Sequence, residues 1–320
     1  MKKVLVLSGG GALGIIQLKG LAEIEAITGK KIHELYDMIV GTSVGAITGG
    51  ILATGVSATD LLRIFYDSVD DIFDKKWYRI PLVTPLYRRK QFIKMFESVV
   101  KNRDYKMRDL KTKFMCTSVD RVNTKTEYFK SWKSDDTLFN CILKSFAAPY
   151  YFGQLVDNQR KSVWLDGGAG TANLPVDIAF TECVKNGWFN SQEKLNITCV
   201  TCGSVNREPS SIVEKVKIFD KLKGHGIVKQ LLDFFNPKEG GLARLQSSDE
   251  KLYRYGKISK SYENFDFRVI DTTIPEKYNK LDGAEYKNLF LAYGIHMINS
   301  VRKHEWFGEE VSSEQLDLFN

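Results

Sequence analysis

Histidine is scarce in this chain, with four among 320 residues. They are His33, His225, His296 and His304, and none is embedded in a motif, which weighs against chemistry or metal binding built on imidazole. Long apolar runs are also missing. No uninterrupted segment approaches the ~20 residues needed to cross a bilayer. The run that follows Met1-Lys2-Lys3 is only Val4-Leu5-Val6-Leu7, too short for the apolar part of a signal peptide. We therefore expect a cytoplasmic protein. Cysteine is sparse and odd in number, five in all, without the paired spacing of a metal site, so free thiols in a reducing compartment are expected. Cys199 and Cys202 lie close together, but within an apolar run from Asn196 to Cys202 and with no second pair or nearby histidine, which favours a structural role. No set of Asp, Glu and His shows ligand spacing, so no metal or cofactor is expected. Internal repeats and low-complexity segments are absent.

What is present is a slightly basic, core-forming chain. Lys and Arg outnumber Asp and Glu by 46 to 39, giving a net charge of +7, and 43% of residues are hydrophobic. Such a length and composition can bury a full core. The charge favours anionic surfaces, and by itself does not choose between lipid headgroups and nucleic acid.

The stretch that organises the rest is Gly41-Thr42-Ser43-Val44-Gly45. It follows the apolar run Met38-Ile39-Val40 and leads into a segment that reads as a buried helix through about Leu52. Strand, sharp turn and helix place a serine at the apex, where Gly41 and Gly45 allow backbone strain and close approach. Ser43 is the candidate nucleophile. Upstream, the strand Val4 to Leu7 runs into Ser8-Gly9-Gly10-Gly11-Ala12-Leu13-Gly14, followed by helical spacing at Ile15, Leu18, Leu21, Ala22, Glu25 and Ile27 up to Gly29. Gly9, Gly11 and Gly14 match the dinucleotide fingerprint literally. The acidic residue that should end the second strand is missing, because that strand runs into Gly41-Thr42-Ser43. No Lys-Ser or Lys-Thr follows Gly14, which removes the phosphate-loop alternative. The remaining use of the loop is as backbone N–H donors aimed at developing negative charge. Downstream, Val163-Trp164-Leu165 reads as a strand leading into Asp166-Gly167-Gly168-Ala169-Gly170. Taken alone, Asp-Gly-Gly is a turn; beside a serine turn and a glycine loop, Asp166 becomes the candidate base.

Between and after these motifs the pattern predicts a helix from Ser57 to Phe73, strands at Lys113 to Val119 and Lys125 to Phe129, and a helix from Thr137 to Ala147. It then predicts a strand at Asn196 to Cys202, a last strand at Phe267 to Ile270 and a last helix from Tyr286 to Val301. Lys75 to Lys90 mixes cations with Trp77, Tyr78 and Tyr87 and holds two prolines, suiting a membrane interface, an active-site flap or a solvated loop. Ser210 to Phe235 reads as two basic amphipathic helices joined at Gly224-His225-Gly226, either packed on the core or serving as a lid. Strand-loop-helix units in succession imply an α/β sheet whose reactive loops gather at the carboxyl ends of the strands.

The three motifs, in this order, resemble those of the patatin-like phospholipases, and Ser145-Phe146-Ala147-Ala148-Pro149-Tyr150-Tyr151-Phe152 is similar to the family's segment before its Asp motif. The resemblance covers about Val4 to Pro175. It implies a three-layer α/β/α fold with a mostly parallel central sheet. The domain would run over 1–305, with motifs within 4–175 and a C-terminal tail at 306–320. It further implies a dyad of Ser43 and Asp166, an oxyanion hole from the backbone of Gly9, Gly10 and Gly11, and motif glycines Gly14, Gly41, Gly45, Gly167 and Gly168. The implied activity is hydrolysis of fatty-acyl esters of glycerophospholipids without a cofactor, with peripheral contact at the inner face of the membrane and no nucleic acid polymer as partner. Some bacterial members resemble effectors that wait for a cyclic nucleotide, and the unmatched region Ser210 to Lys260 could house such a switch. Leu13 stands where the family often has a basic residue. An aspartate near its usual pKa of about 3.9 is ionised at neutral pH and can take the serine proton directly. Two rivals stay open: an α/β-hydrolase triad using His296, and a non-catalytic module that holds an anionic ligand on the glycine loop.

Overall fold

A computed structural model describes residues 1–74, 85–190, 192–205 and 242–302. The first strand, β1 (Lys2–Leu7), sets the plan. Its side chains alternate, Val4 and Val6 entering one apolar cluster and Leu5 and Leu7 the other. A strand apolar on both faces must be covered on both, so helices flank the sheet on each side. The sheet is eight-stranded. Strands β2 (Met38–Gly41) and β7 (Leu195–Val200) pair with β1 in parallel. Beyond them, β3 (Lys113–Asp120) pairs in parallel with β2, and β9 (Phe265–Ile270) with β7. Three antiparallel strands complete it: β4 (Lys125–Lys130) on β3, then β5 (Leu155–Asp157) and β6 (Ser162–Asp166). A small ribbon joins β8 (Ser204–Val205) to β10 (Thr273–Ile274), so the strand expected to be last is followed by another.

One side of the sheet is covered by α1 (Gly14–Thr28), α3 (Val44–Ala53), α4 (Ala58–Ile72), α5 (Arg89–Val100), α6 (Leu138–Ser145) and α9 (Lys287–Arg302). Their Ile15, Ile47, Phe65, Phe92, Ile142 and Phe290 share one cluster with Leu5, Ile39 and Phe114 of the sheet. On the opposite side, α7 (Val176–Lys185) and α8 (Leu242–Ser261) place Ala179, Cys183 and Tyr255 against Val6, Val40 and Ile197. A short α2 (Ile32–Leu35) links the first unit to the second. These three layers are the α/β/α arrangement expected from the sequence.

Caps fix the ends. Gly29 closes α1 in the left-handed conformation, its N–H donating to the Glu25 carbonyl. Ser57 and Thr137 cap α4 and α6, their hydroxyls accepting from the Asp60 and Asn140 amides. Every residue of α3 is buried, as a helix apolar on all sides must be. Helix α5 was not anticipated, because the basic, proline-containing stretch before it obscured the apolar stripe of Phe92, Met95, Phe96 and Val99. Helix α8 falls in the region without a sequence match. The proposed helix pair at Ser210 to Phe235, residues 75–84 of the basic aromatic stretch and the tail at 306–320 lie outside the described residues.

Strand β3 is where the layers converge on function. Along Met115 to Asp120 one of its edges is taken by β4. Its other edge is therefore shared end to end, by β2 at Lys113 to Cys116 and by β6 at Ser118 to Asp120. Because β6 runs antiparallel, its final residue, Asp166, arrives beside the carboxyl end of β2.

Candidate active site

Ser43 follows β2 and caps α3 with φ 57° and ψ −123°. A non-glycine residue held there stores about 1–3 kcal/mol of backbone strain, tolerated only where the surroundings enforce it. The neighbouring glycines are the enforcing parts. A Cβ on Gly41 would fall 2.2 Å from the Gly45 carbonyl oxygen, and one on Gly45 would fall 2.5 Å from the Leu7 carbonyl oxygen. Ser43 N–H donates to Ser145 Oγ at 3.1 Å, and its carbonyl accepts from the amides of Ala46 and Ile47. One residue before it, Thr42 donates its hydroxyl to the Ala172 carbonyl at 2.6 Å. Its oxygen also lies 2.7 Å from Thr117 Oγ1, so Thr117 is the donor in that pair. The turn is thus pinned from both sides.

Ser43 Oγ donates to Asp166 Oδ2 at 2.6 Å, and both residues are buried. Asp166 is held at three further points. Its N–H donates to the Ala147 carbonyl at 2.9 Å, its Oδ1 accepts from Gly168 N–H at 2.7 Å, and its strand is paired to β3. Gly167 is required by contact, since a Cβ there would meet Thr117 Oγ1 at 2.1 Å. A carboxylate so oriented is placed to take the serine proton without a histidine between them.

The glycine loop lies against the same turn. Gly14 packs where a Cβ would be 2.4 Å from Val44 Cγ2, so the start of α1 touches the residue after Ser43. Gly11 has φ +59°, and a Cβ on it would collide with the Leu281 carbonyl at 2.2 Å. The three loop donors expected from the sequence are not equivalent. Gly9 N–H is committed to the Asn173 carbonyl at 3.0 Å. Gly10 and Gly11 N–H have no acceptor among the described residues, which leaves these two as candidate oxyanion donors. Leu13 is buried in the apolar core, where a cation would lack solvation.

Several residues around the site were given no individual role from the sequence. Ser145 holds the Ser43 amide. Asn173 holds Gly9, and its own side-chain oxygen is buried without a partner among the described residues. The Leu281 carbonyl accepts the Ala12 amide at 2.7 Å, and the adjacent Asp282 accepts from the Tyr87 hydroxyl at 2.7 Å. Burial, reinforced by that carboxylate, pushes the Tyr87 hydroxyl well above its ordinary pKa. Only Ser145 and Asn173 had a local cue, since each lies beside a motif; Leu281 is distant in sequence from all of them. His296 is exposed on α9, and no described hydrogen bond joins it to Ser43 or Asp166. Among the described residues no group of His, Cys, Asp and Glu is assembled to hold a metal ion.

Comparison with known proteins adds an independent line. A family model described as patatin-like phospholipase matches residues 5–180. A cGAMP-activated phospholipase of Escherichia coli (strain TW11681) is 32% identical over 202 residues, covering 58% of this chain and 56% of its own length. A cGAMP-activated phospholipase of Vibrio cholerae serotype O1 is 29% identical over 243 residues, covering 67% and 68%. The match therefore spans little more than half of the first relative. Among solved structures, VipD from Legionella pneumophila covers 91% of this chain and 66% of its own at 12% identity and a TM-score of 0.42, too loose a likeness to carry an argument.

Proposed function

This chain belongs to the patatin-like phospholipase family, whose model spans more than half of it, and we propose that it hydrolyses fatty-acyl esters of glycerophospholipids through Ser43 and Asp166. The observation that supports this most is the 2.6 Å hydrogen bond from the Ser43 hydroxyl to the Asp166 carboxylate, made by a strained serine at the end of a parallel strand. In the first half-reaction Ser43 Oγ attacks the ester carbonyl carbon while Asp166 Oδ2 accepts its proton. The oxyanion that forms is met by the N–H groups of Gly10 and Gly11; one such donor is commonly worth about 3–4 kcal/mol. The tetrahedral centre collapses, the alcohol leaves with the proton returned from Asp166, and Ser43 is left acylated. Water then attacks the acyl group with Asp166 as base, releasing free fatty acid and restoring the serine.

The substrate reading is membrane lipid, met by peripheral contact. Among the described residues no helix is long and apolar enough to cross a membrane. Activation by a cyclic nucleotide belongs to the same proposal, because the relatives named above are cGAMP-activated phospholipases and a further relative is a cUMP-AMP-activated one. The test is incubation of the purified protein with mixed phospholipid vesicles, with and without cGAMP, and mass spectrometry of the products. Free fatty acid and lysolipid should accumulate with the parent protein and not with Ser43→Ala. Equal release by the two proteins would refute the proposed nucleophile.

A further inference from the structure

The dyad occupies the carboxyl end of the parallel strands, and a strongly basic cleft lies at the other end. Where β3 begins, a cleft of about 530 Å³ is bounded by the stretch from Arg108 to Lys113 and the turn from Ser131 to Asp135. Arg108, Lys111, Lys113 and Lys133 line it, opposed by one carboxylate, Asp135, which Arg108 already holds at 3.1 Å. Lys111, Lys113 and Lys133 form no ion pair among the described residues. Lys113 Nζ instead lies 5.5 Å from the ring centroid of Trp132 and 4.7 Å from that of Trp188. The Trp132 indole N–H is buried and finds no acceptor among the described residues. Surplus cations beside a flat aromatic wall are what a phosphate-bearing aromatic ligand requires. A larger neighbouring cleft, of about 940 Å³, lacks that surplus. Its Lys144 is held by Asp136 at 2.9 Å and Asp157 at 3.4 Å, and its Arg160 lies 3.6 Å from Asp136.

The basic cleft is tied to the dyad by two continuous elements. Helix α3 starts immediately after Ser43, and the carbonyl of its last residue, Ala53, accepts the Lys111 amide at 2.9 Å. Strand β3 starts at Lys113 and carries Ser118, the pairing partner of Asp166. A ten-residue helix such as α3 spans about 15 Å. A bilayer offering an ester to Ser43 meets the opposite end of the sheet, so a lipid headgroup is not the occupant. We propose that this cleft binds a small phosphodiester nucleotide, its phosphates on Arg108, Lys113 and Lys133 and a base against Trp132, and that its occupancy sets the dyad geometry through α3 and β3. The assignment rests on the reading of this chain as a nucleotide-activated lipid hydrolase.

Calorimetric titration of the purified full chain with cGAMP and with cUMP-AMP, run beside fatty-acid release from phospholipid vesicles, tests it. Lys133 is exposed, so Lys133→Gln should fold normally, and Trp132→Phe shrinks the aromatic wall from an indole to a single phenyl ring. Each should weaken binding of the preferred nucleotide by about tenfold or more, the size of one lost charge-assisted or buried contact. Activation should move to correspondingly higher nucleotide concentration. Arg160→Gln, in the charge-balanced cleft, should bind as the parent does. Parental affinity in Lys113→Gln, Lys133→Gln and Trp132→Phe together would overturn the site while leaving nucleotide activation standing. Binding of neither nucleotide would overturn both. Equal affinity for a single-stranded oligonucleotide would overturn the small-ligand assignment. Binding that follows the expected variant pattern without any ester hydrolysis would support the nucleotide site and sink the hydrolase reading together with the coupling to the dyad.

Discussion

Gly41 and Asp166 meet the same edge of β3, Gly41 opposite Cys116 and Asp166 opposite Ser118. The serine turn and its carboxylate are therefore delivered to one another by strand register and not by a mobile loop. Since side chains alternate along a strand, a slip of β6 by one residue would turn Asp166 to the other face of the sheet. The Ser43–Asp166 hydrogen bond is as precise as the ladder that carries it.

Asp166→Asn keeps the shape of the side chain and removes the proposed proton acceptor. Hydrolysis of a p-nitrophenyl acyl ester should fall by about 10²- to 10⁴-fold, the usual contribution of a positioned base. His296→Ala should leave the rate near parental, as expected for an exposed residue on α9. The reverse ranking would install a histidine triad in place of the dyad.

Ser145 accepts the Ser43 amide and is itself fully buried. In Ser145→Ala that amide loses its acceptor at a strained position, a cost of about 1–3 kcal/mol. The expected outcome is a fall in kcat with KM almost unchanged, because the substrate is not touched. Restoration by Ser145→Thr would identify the hydroxyl as the working part; a change confined to KM would contradict this role.

The serine turn, glycine loop and Asp-Gly-Gly were legible because each combines a run of apolar strand residues with glycines whose need is local. The pairing of β6 with the edge left vacant above β2 was not legible, since long-range register leaves no local trace. Gly9 illustrates the same limit. Its motif looked like that of its neighbours, and only the Asn173 carbonyl, far along the chain, removes it as a donor. Helix α5 carries a stripe in Phe92, Met95, Phe96 and Val99, but it begins at the end of a basic, proline-containing stretch that gives no helix-start signal.

The glycines should separate by contact. Gly29 has φ +63° and open space around its Cβ position, so Gly29→Ala should cost only about 1–2 kcal/mol, the penalty of the left-handed conformation. At Gly45 a Cβ would also fall 2.7 Å from the Ser8 carbonyl oxygen, so β1 or the turn must move. Gly45→Ala should lose esterase activity together with much of its thermal stability. Parental activity in Gly45→Ala would contradict the packing of α3 against β1.

Acid should unfold the protein through a definable group of charges. Lys144 is buried beside Asp136 and Asp157. Burial pushes both carboxyls up. Hydrogen bonds from Asn140, Lys144 and the Thr137 amide, with the charge of Lys144, outweigh this at Asp136; the Arg160 amide, Lys144 and Trp164 do so at Asp157. Both end below the ordinary aspartate value. Groups depressed in this way stabilise the fold fully above their unfolded pKa of about 3.9, and lose that contribution as pH falls through their folded values. Lys144→Met leaves two half-buried carboxylates, of which Asp136 keeps only the exposed Arg160 at 3.6 Å, so it should be less stable by about 1–3 kcal/mol near neutral pH. Once pH falls below the depressed folded values of Asp136 and Asp157 the carboxyls are protonated in the parent as well, and the deficit should shrink. Asp120, whose low pKa rests on Ser162, Asn123 and Val122, contributes equally to both proteins and cancels in the difference. Thermal melts of the two proteins from neutral pH down to about pH 2 check this. A deficit that stays constant across that range would mean that Lys144 stabilises by packing alone.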